Sequence, residues 1–139
     1  MIDSTLDHVG IVVPQLEAAM EMVEAQLGFA CNIVFDDVLP VHEPATGNGT
    51  FSLRIAYSSQ RPGALELIEA APGSPWSPDQ IGLHHLAYTV DDLGVESARL
   101  AGMCPIEICG RDADGTSPTV FTYHTGGLFR IELLAPRSG

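Results

Sequence analysis

The sequence predicts an α+β fold built as two tandem βαβββ modules, and three internal observations lead there. Residues 6–13, LDHVGIVV, match residues 83–90, LHHLAYTV, without a gap. Each of these segments is followed by a run with helical spacing of its apolar residues. Residues 55–66, IAYSSQRPGALE, match residues 121–132, FTYHTGGLFRIE, again without a gap. One such unit is too short to bury its own sheet, so the two units should share a core.

The first segment alternates and is rich in β-branched residues, so LDHVGIVV reads as a strand. After Pro14, Leu16, Ala19, Met20, Val23 and Leu27 recur at i, i+3, i+4, i+7 and i+11, one face of a helix that Gly28 is placed to stop. The first unit is the longer of the two. Its surplus falls most naturally in DDVLPVHEPATGNG, 36–49, whose Pro, Gly and Asn content predicts a loop. Residues 55–66 then read as a hairpin whose second strand carries a glutamate among apolar residues. APGSPWSPDQ, with three prolines, marks a linker. The chain therefore divides into a first module at 1–70, a linker at 71–81 and a second module at 82–139. In the second module the strand GLHHLAYTV precedes a helix that Asp91 or Asp92 can cap, with Leu93, Ser97 and Leu100 on one face and Gly102 near its end. The hairpin FTYHTGGLFRIE completes it.

With 18 acids against 6 bases, the 139-residue chain carries a formal charge of −12. That balance argues against nucleic acid, whose phosphates want a basic face. It suits solubility first, and a cationic ligand second. No apolar stretch approaches a membrane span, and the opening MIDSTLDHVG lacks a basic region followed by an apolar run. Cys31, Cys104 and Cys109 show no CxxC spacing, consistent with reduced thiols and a cytoplasmic setting.

Which polar residues carry chemistry follows from the repeat. Side chains alternate along a strand, so His85 should share a face with Leu83, Ala87 and Thr89, and His84 should point the other way. The repeat matches His8 with His85 and leaves His84 opposite Asp7. It likewise matches Glu66 with Glu132, while Glu69 reads as a solvated charge at a strand end. A single histidine in an apolar strand is more often a satisfied core residue. Two histidines and two glutamates at paired positions of a duplicated unit change that reading. If a pseudo-two-fold axis relates the halves, all four can converge on it. Two imidazoles and two carboxylates form a chelating set for a divalent transition metal, and a cation would relieve the repulsion between two buried carboxylates.

The phrases LDHVGIVV and GLHHLAYTVDDL, followed by ALELIE and LFRIELLAP, resemble the vicinal oxygen chelate superfamily, which includes glyoxalases, extradiol dioxygenases and bleomycin-resistance proteins. Within it the chain looks most similar to methylmalonyl-CoA epimerases and glyoxalase I-like proteins. The resemblance implies paired βαβββ modules in a U-shaped, incompletely closed mixed sheet with helices outside. It further implies a homodimer and one divalent ion (Ni, Co, Zn or Mn) held by His8, Glu66, His85 and Glu132.

The activity so implied is that of an isomerase, epimerase or lyase acting on a small substrate with two neighbouring oxygens. A proton beside a metal-polarised carbonyl would be removed, through an enolate or enediolate. Glu132 is the first candidate base and Glu66 the second. Tyr57, Tyr123, His124, Arg130 and Glu43 are candidate substrate contacts, with His42 and Glu43 in the long loop. The alternative is a bleomycin-resistance-type binding protein whose acidic groove holds a cationic drug. An extradiol-type dioxygenase ranks below both, because it uses one carboxylate and a longer chain.

Overall fold

The computed structural model describes residues 2–111 and 118–136. Chain order is β1 (Ile2–Val13), α1 (Leu16–Leu27), β2 (Cys31–Glu43), β3 (Gly47–Ser58) and β4 (Ala64–Glu69), followed by a single 3-10 turn at Pro78–Gln80. It continues as β5 (Gly82–Val90), α2 (Leu93–Ala101), β6 (Ile106–Arg111), β7 (Pro118–His124) and β8 (Ile131–Leu134). Among the described residues, no helix is long and apolar enough to cross a membrane.

The eight strands form one closed barrel in the order β1-β4-β3-β2-β6-β7-β8-β5. This corrects the expected incompletely closed U. The two halves meet along a long antiparallel β1–β5 ladder on one side. On the other side, among the described residues, β2 meets β6 through two residue pairs, Val41 with Gly110 and His42 with Cys109. What closes the mouth is the segment expected to be a loop. Residues 36–49 instead extend a hairpin in which β2 and β3 pair from Cys31–Ser58 to Glu43–Gly47. Val41, Leu39 and Phe51 pack into the core, which holds the arm in place despite its Pro, Gly and Asn content. Pro40 is tolerated because β2 up to that point pairs on one side only.

Each helix lies outside the barrel over strands of its own half. Leu16 of α1 packs with Val13, Cys31, Ala56 and Leu67. Leu93 and Leu100 of α2 pack with Val90 and Leu133. Gly28, with φ of 79°, ends α1, and Asp92 Oδ1 accepts from Val95 N–H to start α2. Helix α1 has no cap from its own flank. Glu69 supplies it from β4: Oε2 accepts the Leu16 N–H at 2.9 Å and pairs with Arg54 at 3.1 Å. Glu69 is therefore a structural anchor rather than a solvated strand-end charge. Trp76, from the proline-rich segment, is 1% exposed and fills the barrel interior with Val12, Leu53, Ile68, Ile108 and Tyr123. All three cysteines are free thiols.

Candidate metal centre

Strand alternation would separate His84 from His85, but the β1–β5 ladder does not run evenly. Gly10 pairs with His85 and Ile11 with Leu83, so β5 carries an extra residue at His84. Leu6 pairs with Tyr88 and His8 with Ala87, so β1 carries an extra residue at Asp7. Such bulges re-aim side chains. Here each one lays the residue before a histidine against that histidine's ring. The expectation that His84 turns away from His85 is thereby corrected.

Asp7 Oδ2 accepts from His8 Nδ1 at 2.7 Å. His84 Nδ1 lies 2.7 Å from His85 Nδ1, and His84 Nε2 lies 3.0 Å from the Pro75 carbonyl. A carbonyl only accepts, so His84 Nε2 donates to it. Burial, then the charges of His85 and Arg130, push His84 down to about 3. Neutral His84 can therefore only accept at Nδ1, and His85 donates there. Both chains of bonds place a proton on Nδ1 of His8 and of His85, and aim both Nε2 lone pairs forward.

Four potential ligand atoms converge there. His8, Glu66, His85 and Glu132 are all buried, and one ligand atom from each lies within 4.8 Å of the others. The two Nε2 atoms are 3.2 Å apart. Glu132 Oε1 is 2.9 Å from His8 Nε2 and 3.0 Å from His85 Nε2. Glu66 Oε1 is 3.1 Å from His85 Nε2 and 3.5 Å from His8 Nε2, yet neither approach has hydrogen-bond geometry, and among the described residues this buried atom has no hydrogen-bond partner. The register is the same in both halves. Glu66 pairs with Gly10 and Tyr57, and Glu132 pairs with Ala87 and Tyr123. Gly10 has a steric role, because a Cβ there would overlap the His85 ring.

Four acceptors facing one point, with both imidazoles neutral, call for positive charge. Protons would supply it only awkwardly. Burial lowers His8, but Glu132 and Glu66 outweigh it and hold the imidazole up at about 11. The same balance, with Glu132 foremost, holds His85 at about 9. Two protonated rings would then direct N–H bonds at each other across 3.2 Å. Burial raises Glu66, but the two imidazoles outweigh it and hold the carboxylate below its usual range. A single divalent cation can replace both protons and engage all four atoms, including the unpartnered Glu66 Oε1. The residues present fit such an ion.

The centre opens onto a cavity of about 280 Å³ lined by Glu66, Glu132, Tyr57, Tyr123 and apolar side chains. Tyr57 donates to Glu66 Oε2 at 2.8 Å, and burial, then Glu66, push its hydroxyl well above the ordinary tyrosine range. The Trp76 indole N–H donates to Tyr123 at 3.2 Å.

A family model described as the glyoxalase/bleomycin resistance protein/dioxygenase superfamily matches residues 7–103, a span that contains His8, Glu66 and His85. The chain belongs to this superfamily. No curated protein matches it by sequence. Among solved superfamily structures, the chain is similar to methylmalonyl-CoA epimerase from Mycobacterium tuberculosis, at 23% identity and a TM-score of 0.62, over 99% of this chain and 94% of that one. It is similar to a variant of Streptomyces coelicolor methylmalonyl-CoA epimerase in complex with 2-nitronate-propionyl-CoA, at 20% identity and a TM-score of 0.57, over 96% and 98% of the two chains. A mutant of 4-hydroxymandelate synthase from Streptomyces coelicolor is 22% identical with a TM-score of 0.57, over 97% of this chain and 39% of that one. At these identities the likenesses establish a shared fold.

Against that superfamily frame, the remaining candidate contacts sit outside the cavity. Arg130 is held by Glu107 at 2.7 and 3.0 Å and donates to the His84 carbonyl. His124 is fully buried on the α2 side of β7, bonded to Thr122 Oγ1 and the Cys104 carbonyl, and burial pushes it down. Glu43 ends β2 at the hairpin tip, beside His42, which bonds Asn48 at 2.8 Å. Two residues that the repeat did not rank, Asp7 and His84, stand directly behind the imidazoles. Their signal was present in the sequence: both occupy the position just before a repeated histidine.

Proposed function

We propose that the chain is a divalent-metal-dependent isomerase or epimerase of the glyoxalase kind, removing a proton next to a substrate carbonyl. The observation that carries this reading is the convergence of four buried acceptor atoms, from His8, Glu66, His85 and Glu132, beside a cavity that Glu66 and Glu132 line. These four residues would hold the ion, which when bound supplies Lewis acidity for negative charge developing on the substrate oxygen. The chain's own residues would do the rest. Asp7 and His84 hold the proton of each imidazole on Nδ1 and aim Nε2 at the centre, so that Nε2 is the atom that gives up its proton to a bound ion. Tyr57 ties one oxygen of Glu66. Among the described residues nothing ties Oε2 of Glu132, so Glu132 is the freer carboxylate and our candidate for the proton-accepting base, with Glu66 second. Delivery of a proton to the other face of the same carbon by a second acid, for which Glu66 is the candidate, would give an epimerase. Return to the adjacent carbon would give a glyoxalase-type isomerisation.

Metal analysis of purified protein tests the centre: about one divalent ion per chain is expected, and its loss in His85→Ala. Incorporation of solvent deuterium into 2-methylacyl thioesters or hemithioacetals tests the chemistry. Exchange that disappears in Glu132→Gln while metal is retained supports this base. Stoichiometric binding of a cationic drug by metal-free protein, with no exchange, would instead establish a resistance-type binder.

A further inference from the structure

We propose that the substrate arm beside the four-residue centre is an uncharged alkyl or aryl group and that the cavity discriminates against a free carboxylate. This specificity rests on the reading of the centre given above.

Beyond Glu66 and Glu132, the cavity wall is built by Phe35, Leu39, Leu53, Ile55, Phe121 and Leu134, with Val34 and Val120 also lining it and more than half exposed at 55% each. The polar atoms that interrupt this surface are few and carry no positive charge. The Tyr57 hydroxyl donates to Glu66, and the Trp76 indole N–H donates to Tyr123. A volume of about 280 Å³ has room for an aryl ring or a short alkyl chain, since an apolar cavity of roughly 150 Å³ already takes up benzene.

A negatively charged arm would find no counter-charge in this wall. The chain contains no lysine. Each of the five arginines among the described residues is engaged elsewhere, and none lines the cavity. Arg54 pairs with Glu17, Asp36 and Glu69. Arg61 donates to the Ser58 and Gln60 carbonyls while its guanidinium lies 5.0 Å from the centroid of the Tyr57 ring. Arg99 pairs with Glu96, Arg111 donates to the Val41 and Gly49 carbonyls, and Arg130 pairs with Glu107. A carboxylate at the far end of such an arm, beyond the reach of the centre, would lose its water against the apolar wall without gaining a cationic side chain.

Hydroxamic acids present two neighbouring oxygens on a tail that can be varied. The test compares acetohydroxamic, hexanohydroxamic and benzohydroxamic acids with succinic acid monohydroxamate, binding nickel-loaded and chelator-treated protein. Calorimetry and the fluorescence of Trp76, the one tryptophan, report the affinities. Each buried methylene should tighten binding roughly fourfold. Hexano- and benzohydroxamate should therefore exceed acetohydroxamate by at least about tenfold, and the succinyl probe should be the weakest of the longer tails. Val120→Arg, at an exposed rim position, should raise succinyl binding relative to hexanoyl at least about fivefold, the gain expected from one charge-assisted contact. Succinyl binding equal to hexanoyl binding in the unmodified protein overturns the proposal. So does the absence of any detectable binding at the solubility limit of the hexano probe. The failure of the metal reading looks different: nickel would leave every affinity unchanged, while the ranking of tails still reports on the cavity.

Discussion

The two halves use one register to build unequal surroundings for matched residues. His8 rests on the carboxylate of Asp7, whereas His85 rests on neutral His84, which in turn rests on the Pro75 carbonyl. Tyr57 ties its glutamate, whereas the matched Tyr123 receives the Trp76 indole instead. Gly10 leaves room for the His85 ring at a position where the other half has Ala87. The two halves thus share the four converging side chains and their pairing, while the residues behind them differ. The first half presents an imidazole backed by negative charge and a tethered carboxylate. The second presents an imidazole backed by a neutral group and a freer carboxylate. Under the proposed reading, the first half would hold the ion and the second would hold it and also move a proton.

The comparison breaks most severely if the halves are not both required. His8→Ala and His85→Ala should each abolish stoichiometric metal in inductively coupled plasma analysis, and retention by either variant would show that one half suffices. The next largest effect is steric. Gly10→Ala should displace the His85 ring, destabilise the metal-free protein by about 1–3 kcal/mol and deplete the metal. Ala87→Gly should cost only about 0.5–1 kcal/mol from backbone freedom and keep the metal. Thermal melts of the pair decide whether Gly10 is a fitted gap, since equal shifts would remove that role.

A smaller effect separates the two supporting residues. Asp7→Asn should weaken metal binding by roughly 10–100-fold, because a charged partner raises the basicity of the imidazole it supports. His84→Gln exchanges one neutral acceptor for another and should weaken it less. Chelator competition measures both, and the reverse order would invert the assigned roles of the halves.

The smallest effect is linked to pH. His8 and His85 are held at about 11 and about 9, above their ordinary 6.5, in the metal-free protein. Raised values mean that the stability these pairs contribute is complete below 6.5 and fades as pH climbs through about 9 and then about 11. Metal must displace those protons. Calorimetry in buffers of different ionisation enthalpy should register release of about two protons per ion at neutral pH, falling toward one above about 9. Release that does not change with pH would mean that the imidazoles are already neutral without the ion.

Much of this site was legible before any coordinates. Matching LDHVGIVV to LHHLAYTV and ALE to RIE singled out His8, Glu66, His85 and Glu132, because a duplicated unit keeps chemistry at equivalent positions. Strand alternation then misled at His84. The rule assumes an even ladder, and a bulge is an insertion of register that only the partner strand reveals. Composition misled at 36–49, where Pro40, Gly47 and Gly49 sit in paired strands, with only 44–46 in the turn, because Val41, Leu39 and Phe51 bury against the barrel. Glu69 read as a solvated end charge because its partner, the Leu16 N–H, lies far off in the chain. Arg130 and His124 fell near the cavity by sequence position, but Glu107 claims one and the α2 side of the sheet claims the other.

By itself the sequence determined the doubled βαβββ plan and the four polar positions, since both are written in local periodicity and self-similarity. Tertiary structure alone decided that the sheet closes on itself, that Asp7 and His84 stand behind the imidazoles, and that the wall beside the carboxylates is apolar. Those outcomes depend on which strands pair, in what register and with which distant side chains, and no local pattern carries that information.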